Sequence, residues 1–222
     1  LHGLQDCARS WDVFSRAMSG EYRVISLDSR GHGCSDFPVS SSLGSGYRFV
    51  DYVSDITALI DNLGLEEPIL VGHSAGGRYA FSYASLNPQN VRALVVVDID
   101  PDSVNQSSSG MFDRYMNESD EWPSLDKVVE RIRSRQRASS ETMLNHQAEV
   151  MTKPVGNEGI RVWRRDRRVI EDYERPDLWK EWASIAVPTV IIRGRQSDLL
   201  THQTAVQMRE KLSGSLLAEL EG

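Results

Sequence analysis

The chain reads as an α/β protein with a mostly parallel central sheet covered by helices on both faces. Two observations predict this. Short β-branched, apolar runs take turns with stretches of helical periodicity along most of the sequence, and alternation of that kind is what a parallel sheet with crossover helices requires. The heptapeptide "VGHSAGG", residues 71–77, also sets a serine in G-x-S-x-G spacing between an apolar run and a helix-like one. The composition can support such a fold. A chain of 222 residues with 40% hydrophobic and 8% aromatic content is enough for one domain with a sizeable core, with room for an insertion.

The elements follow in order. "YRVISLD" at 22–28 is β-branched and stops at "SRGHG", whose glycines mark a tight turn, so it reads as a buried strand. From 47 to 63, Val50, Val53, Ile56, Ile60 and Leu63 recur at helical spacing, and Gly64 follows where a helix end favours a left-handed residue. "PILVGH" at 68–73 is a second strand, 76–86 a second helix, "VRALVVVD" at 91–98 a third strand, and Pro188 opens a fourth, "PTVIIRG". Between Pro101 and about Leu178 the character changes. "SSSG" at 107–110 resembles a linker, helical segments are expected around 124–137 and 139–152, and the whole reads as small helices laid over the sheet edge without a core of their own. Within it, "GIRVWRRDRRVI" at 159–170 carries five arginines. An anion-binding patch is one reading; a solvated hairpin or connector with Trp163 packed inward is the simpler one.

Charge and cysteine usage narrow the function classes. A formal charge of −7, from 32 acidic and 25 basic residues, argues against a nucleic-acid or anionic-membrane partner and leaves a small-molecule substrate. Cys7 and Cys34 form neither a disulfide framework nor a metal set, which points to a reducing, cytoplasmic setting. No run approaches a membrane-spanning length. Because the chain begins at Leu1 and not Met, the lack of a leader says nothing.

A serine hydroxyl attacks a carbonyl only if a base takes its proton and fixed donors hold the charge that develops on oxygen. At a strand-to-helix elbow, Gly72 and Gly76 allow close backbone approach, Ser74 is presented at the carboxyl end of the sheet, and the Ala75 N–H sits at a helix N-terminus as one oxyanion donor. "LHGLQD" offers the second: if His2–Gly3 turns over the sheet, the Leu4 N–H faces the same place.

Taken together, "LHGLQDCARSWD", "LDSRGHGCSDFP", "DYVSDITALIDNLGLEEPILVGHSAGGRYAFSYA", "VVVDIDP" and "VPTVIIRGRQSDLL" resemble the α/β-hydrolase fold enzymes, most of all the capped bacterial esterases and carbon–carbon bond hydrolases. The resemblance implies a core in two parts, 1–100 and 179–222, with 101–178 as the cap, and a Ser, Asp, His triad in that chain order. Asp198, just past the last apolar strand, is then the expected acid; Asp98 and Asp100, ending another strand, are the alternatives, with a turn-capping role the simpler use for both. No histidine makes a convincing base. His202 is too near Asp198 along the chain, His73 adjoins the nucleophile but points elsewhere, His2 and His32 belong to turns, and His146 sits in the cap. The chain opens at the oxyanion loop and closes at "SLLAELEG", which reads as a last strand entering its loop, so the sequence reads as a fragment without its first strands and with the catalytic histidine just beyond Gly222. The chemistry implied is cleavage of a small ester, thioester or activated carbonyl through an acyl-enzyme on Ser74, with no metal or organic cofactor. Carbon–carbon bond hydrolysis and perhydrolysis are variants using the same site, while epoxide and haloalkane hydrolysis are disfavoured because those relatives carry an aspartate at the Ser74 position. A small-molecule binding protein without catalysis is the other class.

Overall fold

A computed structural model describes residues 1–39, 44–104, 109–136 and 138–221. Its centre is a four-stranded, wholly parallel sheet in the order β1 (Ile69–His73), β2 (Ala93–Val97), β6 (Thr189–Gly194) and β7 (Leu216–Leu220). The helices are α1 (Asp12–Met18), α2 (Phe49–Leu63), α3 (Ala75–Leu86), α8 (Trp179–Ala183) and α9 (His202–Lys211), and the insertion holds α4 (Ser109–Asn117) to α7 (Arg168–Glu171). The expected strands at 68–73, 91–98 and after Pro188 are β1, β2 and β6, and Gly64 closes α2 in the left-handed region at φ 58°, ψ 44°.

Burial alternates along β1, β2 and β6, and this period-2 pattern fixes which face the helices take. Leu70, Leu94, Val96 and Ile191 point into one apolar cluster with Ala80, Phe81, Ala84, Trp182 and Met208 from α3, α8 and α9. Tyr52 of α2 stacks on Tyr79 of α3 at 4.5 Å, and Phe81 meets Trp182 edge-on at 5.4 Å, contacts worth about 0.5–1.5 kcal/mol each beyond the area they bury. Val71, Val95, Val97, Val190 and Ile192 face the other way and stay half-buried. The expected mostly parallel sheet flanked by helices is the fold observed.

Two further expectations are corrected. Residues 22–28 are extended but form no ladder, and Ile25 is exposed. The outer edge of β1 is instead met by residue 1, with the Leu1 nitrogen donating to the Val71 oxygen at 2.7 Å and the His73 N–H to the Leu1 oxygen at 3.0 Å. Without a neighbouring strand the branched side chains of 22–28 have no pleated surface to pack on. The insertion, too, is more than small helices. It contains an antiparallel sheet, β3 (Glu121–Trp122), β5 (Ile160–Trp163) and β4 (Thr152–Val155), and a second apolar cluster of Val128, Val129, Ile132, Leu144, Ala148, Val150, Met151 and Trp163, joined by Cys7. The 124–137 and 139–152 segments are α5 (Leu125–Arg133) and α6 (Glu141–Met151), capped by the hydroxyls of Ser124 and Ser140. Of the proposed linker, Ser107 and Ser108 lie outside the described residues, and Ser109 and Gly110 open α4. Among the described residues no helix is long and apolar enough to cross a membrane.

The insertion leaves and rejoins the core at one buried knot. Arg78, fully buried in α3, donates to the carbonyl oxygens of Asp100 (2.6 Å), Asp102 (3.1 Å) and Pro176, while Arg175 pairs with the Asp100 carboxylate at 2.5 Å. Leu178 N–H donates to the Pro101 oxygen at 2.9 Å and closes the stem. Burial pushes the Asp100 pKa up, opposed by Arg175. Removing one partner of a buried charged pair strands the other in a poor dielectric. Asp100→Ala is expected to lower the unfolding free energy by about 3–5 kcal/mol in denaturant titration; a loss below 1 kcal/mol would show the knot to be incidental.

Candidate active site

The strand-to-helix junction is a sharp elbow. Ser74 has φ 52° and ψ −125°, a conformation a side-chain-bearing residue adopts only when its surroundings impose it, and the residue is half-exposed. What imposes it is close backbone crossing. A Cβ on Gly72 would stand 2.4 Å from the Gly76 oxygen, and one on Gly76 would stand 2.5 Å from the His2 oxygen. Neither neighbour is a flexible side chain. The Ser74 N–H donates to the Val97 oxygen at 3.0 Å and its carbonyl accepts from Gly77 at 2.9 Å, which ties the turn to β2 and α3.

The 1–6 loop lies directly against this elbow. A Cβ on Gly3 would meet the Ser74 Cβ and the His73 Nδ1 each at 3.2 Å. The N–H groups of Leu4 and Ala75 have no partner among the described residues, and that of Ala75 stands at the positive end of α3. Two histidines brace the loop from behind. Ser29 N–H donates to His2 Nε2 at 3.0 Å, so Nδ1 carries the proton and donates to the Gly3 oxygen at 2.8 Å. Burial, reinforced by His32, pulls the His2 pKa down to about 3 and keeps it neutral. His32 spans the carbonyl oxygens of Leu4 and Arg30, both at 2.9 Å, and burial lowers its pKa against those contacts.

The carboxyl ends of β1, β2 and β6 bring the acidic candidates to the same rim. Asp98 follows β2 at φ 53°, and its Oδ2 accepts from the Ser197 hydroxyl at 2.7 Å. Its Oδ1 is buried and makes no hydrogen bond among the described residues. Burial raises the Asp98 pKa, opposed first by the Ser197 contact and then by His73. Asp198 stands exposed beside Ser197, with no hydrogen bond or ion pair among the described residues. Asp100 belongs to the Arg78 knot, and its Oδ1 accepts from the Asp102 N–H at 2.8 Å, whereas Asp98 reaches across to the β6 loop.

The histidines are all engaged elsewhere. His73 Nδ1 lies 3.4 Å from Asp6 Oδ2; burial lowers its pKa but Asp6 outweighs that and leaves it raised, while the Asp6 value is lowered. His146 Nε2 meets the Arg9 oxygen at 3.1 Å, and His202, at the start of α9, meets Glu219 at 3.0 Å. Asp6 carries no motif that would single it out in the residue order.

The alpha/beta hydrolase fold family matches residues 1–221. The chain belongs to the alpha/beta hydrolase fold family. This hydrolase-fold chain is 27% identical over 203 residues to the 2-(acetamidomethylene)succinate hydrolase of Mesorhizobium japonicum, covering 90% of this chain and 71% of that protein. It is 28% identical over 227 residues to the 3-hydroxybutyrate-oligomer hydrolase of Cupriavidus necator, covering 93% and 74%. The crystal structure of E-2-(acetamidomethylene)succinate hydrolase matches it with a TM-score of 0.88 at 24% identity, over 100% of this chain and 81% of that one, a likeness of fold. Its relatives are thus hydrolases, on a mostly parallel sheet flanked by helices.

Gly76→Ala is expected to cost about 1–3 kcal/mol or more, because a backbone oxygen must move to admit the methyl; thermal melting measures it. The Asp6–His73 pair has a defined pH signature. A raised histidine contributes stability below its ordinary range and loses it as pH rises through the folded value; the lowered Asp6 contributes above its ordinary range and loses it as pH falls. Asp6→Asn should move the His73 titration to lower pH in NMR spectra, and the stability gap to wild type should narrow as pH rises. An unmoved His73 titration would disprove the pairing.

Proposed function

We propose that the chain is a serine hydrolase that cleaves a small-molecule ester, thioester or activated carbonyl through an acyl-enzyme on Ser74. The observation that carries this is the forced conformation of Ser74, half-buried at the carboxyl rim of the sheet, with the Gly3–Leu4 loop against it and the Leu4 and Ala75 N–H groups without partners among the described residues. Ser74 Oγ attacks the carbonyl carbon, the developing oxyanion is held by the Ala75 and Leu4 N–H groups, the leaving group departs with a proton, and water then attacks the acyl carbon to regenerate the hydroxyl.

Asp98 is the better acid of the two at the rim. A carboxylate that orients an imidazole needs a free oxygen in a water-poor setting, and Asp98 Oδ1 is such an oxygen while Asp198 is solvated. None of the five histidines in residues 1–222 is free to serve as the base, since they are held by Gly3, Arg30, Asp6, Arg9 and Glu219. The same engagement of the histidines favours the second reading, a binding protein that uses the fold without catalysis.

A fluorophosphonate probe separates them. Labelling at Ser74, lost in Ser74→Ala, supports the hydrolase; unchanged labelling in that variant rules out Ser74 as nucleophile, and no labelling in the wild type favours binding alone. Asp98→Asn should slow turnover by on the order of 10⁴-fold, and Asp198→Asn by much less. The opposite order would return the acid role to Asp198.

A further inference from the structure

Where the insertion meets the 3–7 loop, buried donors outnumber acceptors. Gln5 is 7% exposed; its Oε1 accepts from Arg131 at 2.9 Å, but its Nε2 has no partner among the described residues. Arg165, 6% exposed, is ion-paired through Nη1 with Asp120 Oδ1 at 3.0 Å, an acceptor that also lacks an aligned hydrogen bond, while its Nε and Nη2 have no hydrogen-bond partner among the described residues. Asp120 is shared with Arg167 at 3.6 Å, so its charge is divided between two guanidiniums. The indole N–H groups of Trp122 and Trp163, whose rings meet edge-on at 5.8 Å, are likewise buried and unpartnered. Arg131, over the Trp163 ring at 5.3 Å, already spends its charge on Glu118. This corrects the simpler reading of the arginine run. The segment is a hairpin strand with Trp163 inward, but Arg165 is not solvated.

An unmade buried hydrogen bond costs about 1–3 kcal/mol, more at a charged group. A concentration of them on the donor side fits a ligand that accepts at several points and carries negative charge. A carboxylate does both, and its two oxygens match the arginine fork. The place is also suited. Gln5 is two residues from Gly3, which touches the Ser74 turn, and the Arg165 backbone pairs with that of His32, whose ring holds the Leu4 carbonyl.

We infer that Gln5 and Arg165 form a subsite for a carboxylate borne by the substrate, so that the compounds cleaved are acyl compounds with a free acid group at the end remote from the scissile bond. Only the assignment of that carboxylate to a substrate rests on the reading of Ser74 as nucleophile; the donor cluster stands without it.

Succinate and its neutral counterpart succinamide are the probes, titrated into the protein and followed by calorimetry and tryptophan fluorescence. Saturable binding of succinate, with succinamide at least about tenfold weaker, is expected. Arg165→Met and Gln5→Glu should each weaken succinate at least about tenfold. Gln5→Glu keeps an acceptor for Arg131, so an unchanged melting temperature separates its effect from misfolding. Absence of succinate binding, equal binding of succinamide, or equal binding by Gln5→Glu would overturn the subsite and leave bound water as the partner of these donors. Succinate binding without phosphonate labelling would retire the hydrolase reading and keep the subsite; labelling of Ser74 without succinate binding would do the reverse.

Discussion

The crossing of backbone at the β1–α3 junction is the constraint on which the rest of the molecule turns. Gly72 and Gly76 are spaced four residues apart so that strand, turn and helix can pass at contact distance, and the 1–3 segment closes over them. That crowding is what holds Ser74 at a positive φ which, alone, is unfavourable by roughly 1–3 kcal/mol. The strain is sustained by the surroundings: the Ser74 N–H is tied to β2, and ten residues of α3 from Ala75 to Ala84 are buried. A junction made this way presents one hydroxyl and leaves the first amide of the helix with nothing to donate to. The same packing that stabilises the sheet therefore sets a side-chain oxygen beside backbone donors without acceptors among the described residues.

Around that junction the chain uses buried polar groups as ties, and each has a distinct job. His2, held neutral between Ser29 and Gly3, and His32, between Leu4 and Arg30, fix the loop that carries the second free amide. Arg78 does the equivalent for the insertion, gathering carbonyls from both of its stems. A hydrophobic contact could hold these segments at lower desolvation cost. What it would not supply is direction: hydrogen bonds to named carbonyls set the orientation of the loop peptides, and the orientation of an N–H decides whether it can meet an oxyanion.

Much of this was readable in the residue order, for physical reasons. β1, β2 and β6 are apolar because the face toward α3, α8 and α9 is dry, and their period shows without coordinates. Gly64, Gly72, Gly76 and Ser74 declare their turns because only particular residue types tolerate them. The 22–28 run misleads because β-branched residues report a preference for a pleated neighbour and not the presence of one. β4 and β5, "TKPV" and "IRVW", escape because they are short and carry proline, lysine and arginine. Asp98 and Asp198 look alike on paper, each ending or following an apolar strand. What separates them is solvation, a property of the β6 loop folding back so that Ser197 reaches Asp98. Arg165 was hidden for the same reason, one buried guanidinium in a run whose other members are partly wet.

Charge placement links the elbow to the insertion. Asp98 carries a buried oxygen without a hydrogen-bond donor among the described residues, and its pKa is raised because burial penalises its anion more than Ser197, His73, Arg193 and the Gly194 backbone relieve it. Such a carboxylate gains most when a cation forms beside it, and an imidazolium generated as Ser74 loses its proton is a cation of that kind. Elsewhere the balance is reversed, with the Leu4 and Ala75 amides and the side chains of Gln5 and Arg165 carrying donors without a hydrogen-bond acceptor among the described residues. On the proposed reading, a reaction that forms a cation beside Asp98 and drives electron density toward the amides would satisfy both at once, and a substrate with a carboxylate at its far end would bring an acceptor to the donors of Gln5 and Arg165.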